Sequence, residues 1–102
     1  MKLEKLKLIL AEMGRPYAFM VHRNQPDLPF FTYFFMGSDN FVADNMVYVE
    51  NHGIGIQIIS TKKEFELERR FKDALNREKI VWDQMPDYYD SEKQTFISHI
   101  NI

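Results

Sequence analysis

From Phe30 to Asn40 the chain reads FFTYFFMGSDN, seven residues with five aromatics among them, closed by a Gly-Ser-Asp-Asn stop. A run that apolar, rich in β-favouring side chains and ended by turn formers, predicts a strand buried on both faces. Side chains alternate along a strand, so Phe30, Thr32, Phe34 and Met36 share one face, and Phe31, Tyr33 and Phe35 the other. Burying each large side chain is worth roughly 1.5–3 kcal/mol. Such a strand calls for helices over one face and further cover, including a neighbouring subunit, over the other.

At 102 residues the sequence predicts a single domain, 1–102, with a radius of gyration of about 13 Å. Aromatic residues make up 15%, which fits strands with two apolar faces. The absence of cysteine leaves no disulfide framework and no thiolate metal site. The opening MKLEKLKLILAEM is interrupted by Glu4 and Glu12 and lacks a small-residue cleavage site, so it is not read as a signal peptide. No apolar run approaches the ~20 residues that span a bilayer. A net charge of -2 gives no electrostatic case for nucleic-acid binding.

Leu3, Leu6, Ile9, Leu10 and Met13 form one stripe of an amphipathic helix over Lys2 to Met13, capped by Gly14 and stopped by Pro16. Tyr17 to Val21 reads as a first strand, and RNQPDLP (Arg23 to Pro29) as an irregular connection into the aromatic strand. GSDNFVADN reads as a loop. Val47 to Glu50 resumes a strand, and Asn51, His52 and Gly53 are expected to reverse it into an antiparallel neighbour, Ile54 to Ile59. Gly55 inside a strand suggests a bulge or a close backbone approach. Thr61 and Glu64 have the spacing of a capping box for a helix running to about Asn76, with Phe65 on its first turn. Its inner face is Leu67, Phe71, Ala74 and Leu75; Glu66, Arg69, Arg70 and Asp73 stay solvated. Ile80 to Trp82 and Thr95 to Ile102 complete the strands, with a polar turn-rich stretch from Asp83 to Ser91 between them. The order predicts an α+β domain: an antiparallel sheet of four or more strands with two α-helices packed on one face.

No pattern of catalytic residues stands out. His22, His52 and His99 lie thirty or more residues apart and read as surface or turn histidines rather than metal ligands. Asp39, Asn40, Asp44 and Asn45 lack the alternation and closing Glu of a calcium loop. Asp83, Asp87, Asp90 and Glu92 cluster near Tyr88 and Tyr89; paired carboxylates can do acid-base work in a pocket, but a solvated loop is the simpler reading. There is no G-x-S-x-G elbow and no glycine-rich phosphate loop. The basic residues of the second helix alternate with glutamates, as on a solvent face. No cofactor and no metal are expected. What stands out is a surface: apolar strands, ending in FISHINI with few charges, invite cover by another copy of the chain.

The aromatic strand running into GSDNFVADN and VYVE, the Ile-rich strand passing into TKKEFELERRF, and YYDSEKQTFISHINI together resemble a family of small bacteriophage proteins encoded among the head-to-tail joining genes of long-tailed phages. The resemblance covers most of the chain from Pro29 onward. It implies a tail terminator or tail completion protein without catalytic residues: a hexameric ring that caps the tail tube, with the tail tube protein and a head-tail connector protein as partners. It would be assembled in the host cytoplasm and reside in the virion at the head-tail junction, with DNA only as passing cargo. On this reading the interface comprises Phe31, Tyr33, Phe35, Ser38, Asp39, Asn40, Phe41, Val42, Asp44 and Asn45. The alternatives are another connector or tail assembly subunit, and a small enzyme using the acidic tyrosine loop.

Overall fold

The fold is seen in a computed structural model that describes residues 2–43 and 46–102, with side chains described for 2–36 and 53–102. In chain order the elements are α1 (Lys2–Glu12), β1 (Tyr17–Phe19), β2 (Phe30–Ala43), β3 (Met46–Ser60), α2 (Phe65–Arg77), β4 (Asp83–Gln84), β5 (Tyr88–Asp90) and β6 (Thr95–Asn101). They form one six-stranded sheet in the order β1-β2-β3-β6-β4, with β5 also pairing β6. The class is α+β, as the sequence predicts. The sheet is mixed rather than wholly antiparallel, because β1 runs parallel to β2. The connection from Met20 to Pro29 is long enough to return the chain for that pairing.

Register sorts the residues into two faces. Phe31 pairs Ile58 and Tyr33 pairs Ile56, and these pair onward to Ser98 and Ile100. This face lies under the helices. Leu6, Ile9, Leu10 and Met13 of the first helical stripe join Leu67, Phe71 and Leu75 of α2 over it, all buried. Phe31 and Phe71 meet with ring centroids 5.4 Å apart. Gly14 adopts φ 75° after α1, the left-handed stop that glycine takes without strain.

The opposite face carries Phe30, Ile59 and Ile97 in one row and Phe34, Gly55 and Asn101 in another. Among the described residues no helix covers it, yet Phe30, Thr32, Thr95 and Ile97 are buried there. His22 lies edge-on to Phe30 with centroids 4.8 Å apart, and its Nε2 is 3.0 Å from the Phe31 carbonyl oxygen. Arg15 steadies the same connection by donating from Nε to the Pro29 carbonyl at 2.8 Å and from an Nη to that of Asp27 at 3.0 Å.

Four expectations need correction. The reversal at Asn51–Gly53 does not occur: Met46–Ser60 is one strand, paired with β2 from Phe30↔Ile59 to Ala43↔Met46. The turn formers are absorbed by a register shift between Phe35 and Ser38, where a bulge lets pairing continue. Gly37 to Ala43, expected as loop, is therefore strand, while Asp44 and Asn45 lie outside the described residues. The Thr61–Glu64 capping box is not formed. α2 starts at Phe65 with Glu64 at its N-cap and no side-chain cap bond, because Ser60 donates its hydroxyl to the Lys62 carbonyl and Lys63 turns inward. Third, the strand at Ile80–Trp82 is displaced to Asp83–Gln84: Ile80 drops into the core and Val81 is 84% exposed. Last, the polar stretch before Ser91 supplies β4 and β5.

The radius of gyration is 14.9 Å and the longest axis 49 Å. The excess over about 13 Å comes from β2 and β3. β1 accompanies β2 only as far as Tyr33, and β6 accompanies β3 only from Gly55 to Ser60. Beyond those points β2 and β3 continue as a two-stranded ribbon.

Candidate functional site

Two arrangements stand apart from ordinary core packing. In the first, the Lys63 ammonium donates to Glu68 Oε1 at 2.8 Å and to Asp87 Oδ2 at 2.9 Å. Ser98 Oγ lies 2.9 Å from Glu68 Oε2, 3.2 Å from Asp87 Oδ1 and 3.3 Å from Lys63 Nζ. The rings of Phe65 and Phe96 flank the ammonium at 5.6 and 5.9 Å. Burial opposes the charge on Lys63, but hydrogen bonds to Glu68 and Asp87 outweigh it and hold its pKa above the ordinary lysine value. The ammonium is engaged by both carboxylates, and Ser98 is only 1% exposed. The cluster ties the loop before α2 to α2 itself, to β6 and to the segment before β5.

Asp87 is thus committed to an ion pair, and Asp90 Oδ1 accepts the backbone N–H groups of Glu92 and Lys93. Asp83 pairs through its backbone with Asn101. The acidic tyrosine stretch is built into the sheet edge. Among the described residues no three His, Asp or Glu side chains come together as a metal site.

The second arrangement is the β2–β3 ribbon and its root. Isolated two-stranded ribbons are marginal in water, and β1, the outer neighbour of β2, ends opposite Tyr33. At the root, Phe19 packs on Tyr33 and Phe35 with centroids 5.5 and 5.7 Å apart. Phe19, Phe35 and Met36 nevertheless remain 46%, 45% and 48% exposed. Phe19 and Phe35 thus form an exposed apolar pair at a sheet edge on the face of Phe31 and Tyr33, and Met36 is exposed on the opposite face; exposed apolar groups at an edge are the kind of surface that marks protein contacts.

Of the expected interface residues, Phe31 and Tyr33 are sealed in the chain's own core and Phe35 lies in the exposed patch. Ser38, Asp39, Asn40, Phe41 and Val42 lie on the ribbon, in β2; Asp44 and Asn45 fall outside the described residues. Glu68 was missed as a buried group although it stands three residues before Phe71 and seven before Leu75 on the inner stripe, a spacing that gave it away. Phe19 was missed because only the parallel pairing of β1 brings it beside Phe35.

No family model matches this chain, and no curated protein matches its sequence.

Proposed function

We propose that this protein is a non-enzymatic assembly subunit of a bacteriophage head-tail junction, a tail terminator or tail completion protein that works by joining copies of itself into a ring. The role within the junction, and the six-fold ring, come from the sequence resemblance. The observation that supports self-assembly is the β2–β3 ribbon, which extends beyond both β1 and β6, with Phe19 and Phe35 exposed on one face of its root and Met36 on the other. A surface of this kind favours binding through backbone pairing and apolar packing. The ring would cap the tail tube and offer its other side to the head connector.

Light scattering after size exclusion, alone and with tail tube protein, tests the reading. A ring-sized species that stops tube growth is expected; a strictly monomeric protein that leaves tubes uncapped overturns it. A ring that ignores tubes but binds connector protein would favour a connector subunit instead.

A further inference from the structure

The face of the sheet opposite the helices holds a groove of about 340 Å³, at the small end of the roughly 300–1,000 Å³ of small-molecule sites. Its middle is the apolar row Phe30, Ile59 and Ile97, which pair across β2, β3 and β6. One end is polar through Asp90, Lys93 and Thr95, with Asp90 and Thr95 partners across the turn between β5 and β6. The other end carries Thr32 and Gln57. Thr32 and Thr95 are only 6% and 3% exposed, yet neither hydroxyl has a hydrogen-bond partner among the described residues. Polar groups buried to that degree are as a rule paired, so two unpaired hydroxyls lining one groove point to a ligand. Asp90 spends Oδ1 on the N–H groups of Glu92 and Lys93 and keeps Oδ2. Neither Asp90 nor Lys93 forms an ion pair among the described residues.

We infer that this groove binds a free α-amino acid whose side chain is long, apolar along its stem and hydrogen-bonding at its tip. Opposite charges that line one end without pairing to each other fit a ligand that brings both. Its ammonium donates to Asp90 Oδ2, and its carboxylate accepts from Lys93 and from the Thr95 hydroxyl, in charge-assisted bonds. The stem lies over Ile59 and Ile97, and the tip meets the Thr32 hydroxyl and the Gln57 amide. Length agrees. Thr95 stands four residues before His99, the partner of Gln57, so the two polar ends are about 13 Å apart at ~3.3 Å per residue. Taking off a hydrogen bond of about 2.9 Å at each end leaves about 7 Å, the reach of an amino acid from its charged groups to the tip of a long side chain. The self-assembly proposed above works through the ribbon, a different part of the sheet, so either reading can fail alone.

L-Tyrosine, with a hydroxyl at the end of an apolar ring, is the probe. Titrated into the isotope-labelled full chain and followed by NMR, it should shift the amide signals of Thr32, Gln57, Asp90 and Thr95, saturably in the millimolar range, and leave those of α1 and α2 in place. L-Phenylalanine, N-acetyl-L-tyrosine and L-tyrosinamide each lack one of the three matched groups. Each is expected to bind about tenfold more weakly, as for one hydrogen bond left unmade to a buried or charged partner. Asp90→Asn, which keeps an oxygen for the turn, should weaken tyrosine about tenfold without weakening N-acetyl-L-tyrosine, which has no ammonium. Thr32→Val, close in shape, should remove the preference for tyrosine over phenylalanine; if that variant does not fold, Asp90→Asn and the three analogues decide. The absence of a saturable shift overturns the inference, as do shifts that the analogues and Asp90→Asn reproduce at full strength.

Discussion

The Phe34 ring lies over Gly55, its partner across the strand pair, so closely that a Cβ at position 55 would stand 2.6 Å from Phe34 Cζ and 3.0 Å from His99 Nε2. The close approach expected from a glycine inside a strand is thus made by an aromatic ring rather than by another backbone. Gly55→Ala forces both rings to move, and crowding of that kind costs about 1–3 kcal/mol. We expect a loss of about 1–2 kcal/mol in urea unfolding. In a Phe34→Ala background the same substitution should cost much less, since the two changes share one contact. Equal costs in both backgrounds would show that the ring is not the obstacle.

Lys63 is the counter-charge for a glutamate only 4% exposed at its side chain. Removing one partner of a buried pair strands the other. Lys63→Met should therefore destabilise by about 2 kcal/mol, below the ~3–5 kcal/mol of fully buried pairs because Lys63 itself keeps 23% of its side-chain surface. The pH dependence has a definite sign. The folded pKa is raised, so the contribution is complete below the unfolded value of about 10.4 and is lost as pH climbs through the folded one. The gap between wild type and variant should close in alkali above that range; a gap that instead closes in acid alone would contradict the assignment.

Met36 stands half exposed at the ribbon's root. Met36→Ser should change monomer stability by no more than about 0.5 kcal/mol, as surface changes do, while weakening self-association about tenfold, as for a central apolar contact. Leu8 offers the control, being 72% exposed on the outer side of α1. Sedimentation equilibrium of Met36→Ser and Leu8→Ser would separate a specific patch from general surface greasiness.

Arg77 clasps Glu12 through two bonds, 2.8 and 2.9 Å, linking the end of α2 to the end of α1. The hydrogen bonds from Arg77 lower the Glu12 pKa, and the Arg77 value is raised in turn, chiefly by Glu12. Both groups are solvated, and exposed pairs contribute little. Glu12→Gln should barely move the thermal midpoint, and any difference should vanish in about 1 M salt. By linkage, whatever the pair contributes is present above the ordinary carboxylate range and fades as pH falls through the lowered Glu12 value. A large, salt-resistant loss would mean that the clasp holds the two helices together.

The helices were legible because their inner stripes are periodic: Leu6, Ile9, Leu10 and Met13 on one, Leu67, Phe71 and Leu75 on the other. β6 was legible from its unbroken β-prone run. Long-range pairing was not. Asn51, His52 and Gly53 look like a turn in isolation, yet β2 provides a partner on each side of them and the strand runs through. Local signals at Thr61 and Glu64 were likewise overridden, since Lys63 reaches Glu68 and Asp87 only when α2 begins later. The aromatic strand is covered on both faces as far as Tyr33, but by helices on one side and by an irregular loop on the other. Only Phe35 and Met36 escape that cover, so the part of the expected interface on view is narrower than the alternation of side chains implied.

β6 follows every other described element in sequence but runs between β3 and the short strands β4 and β5. A nascent chain halted before Thr95 would carry Ile56 and Ile58 on a strand with one neighbour missing, and Glu68 and Lys63 without Ser98. Synthesis must therefore pass the SEK turn before the hydrophobic centre can close. Until then the open flank of β3 is a place where a chaperone, or a second unfinished chain, could dock.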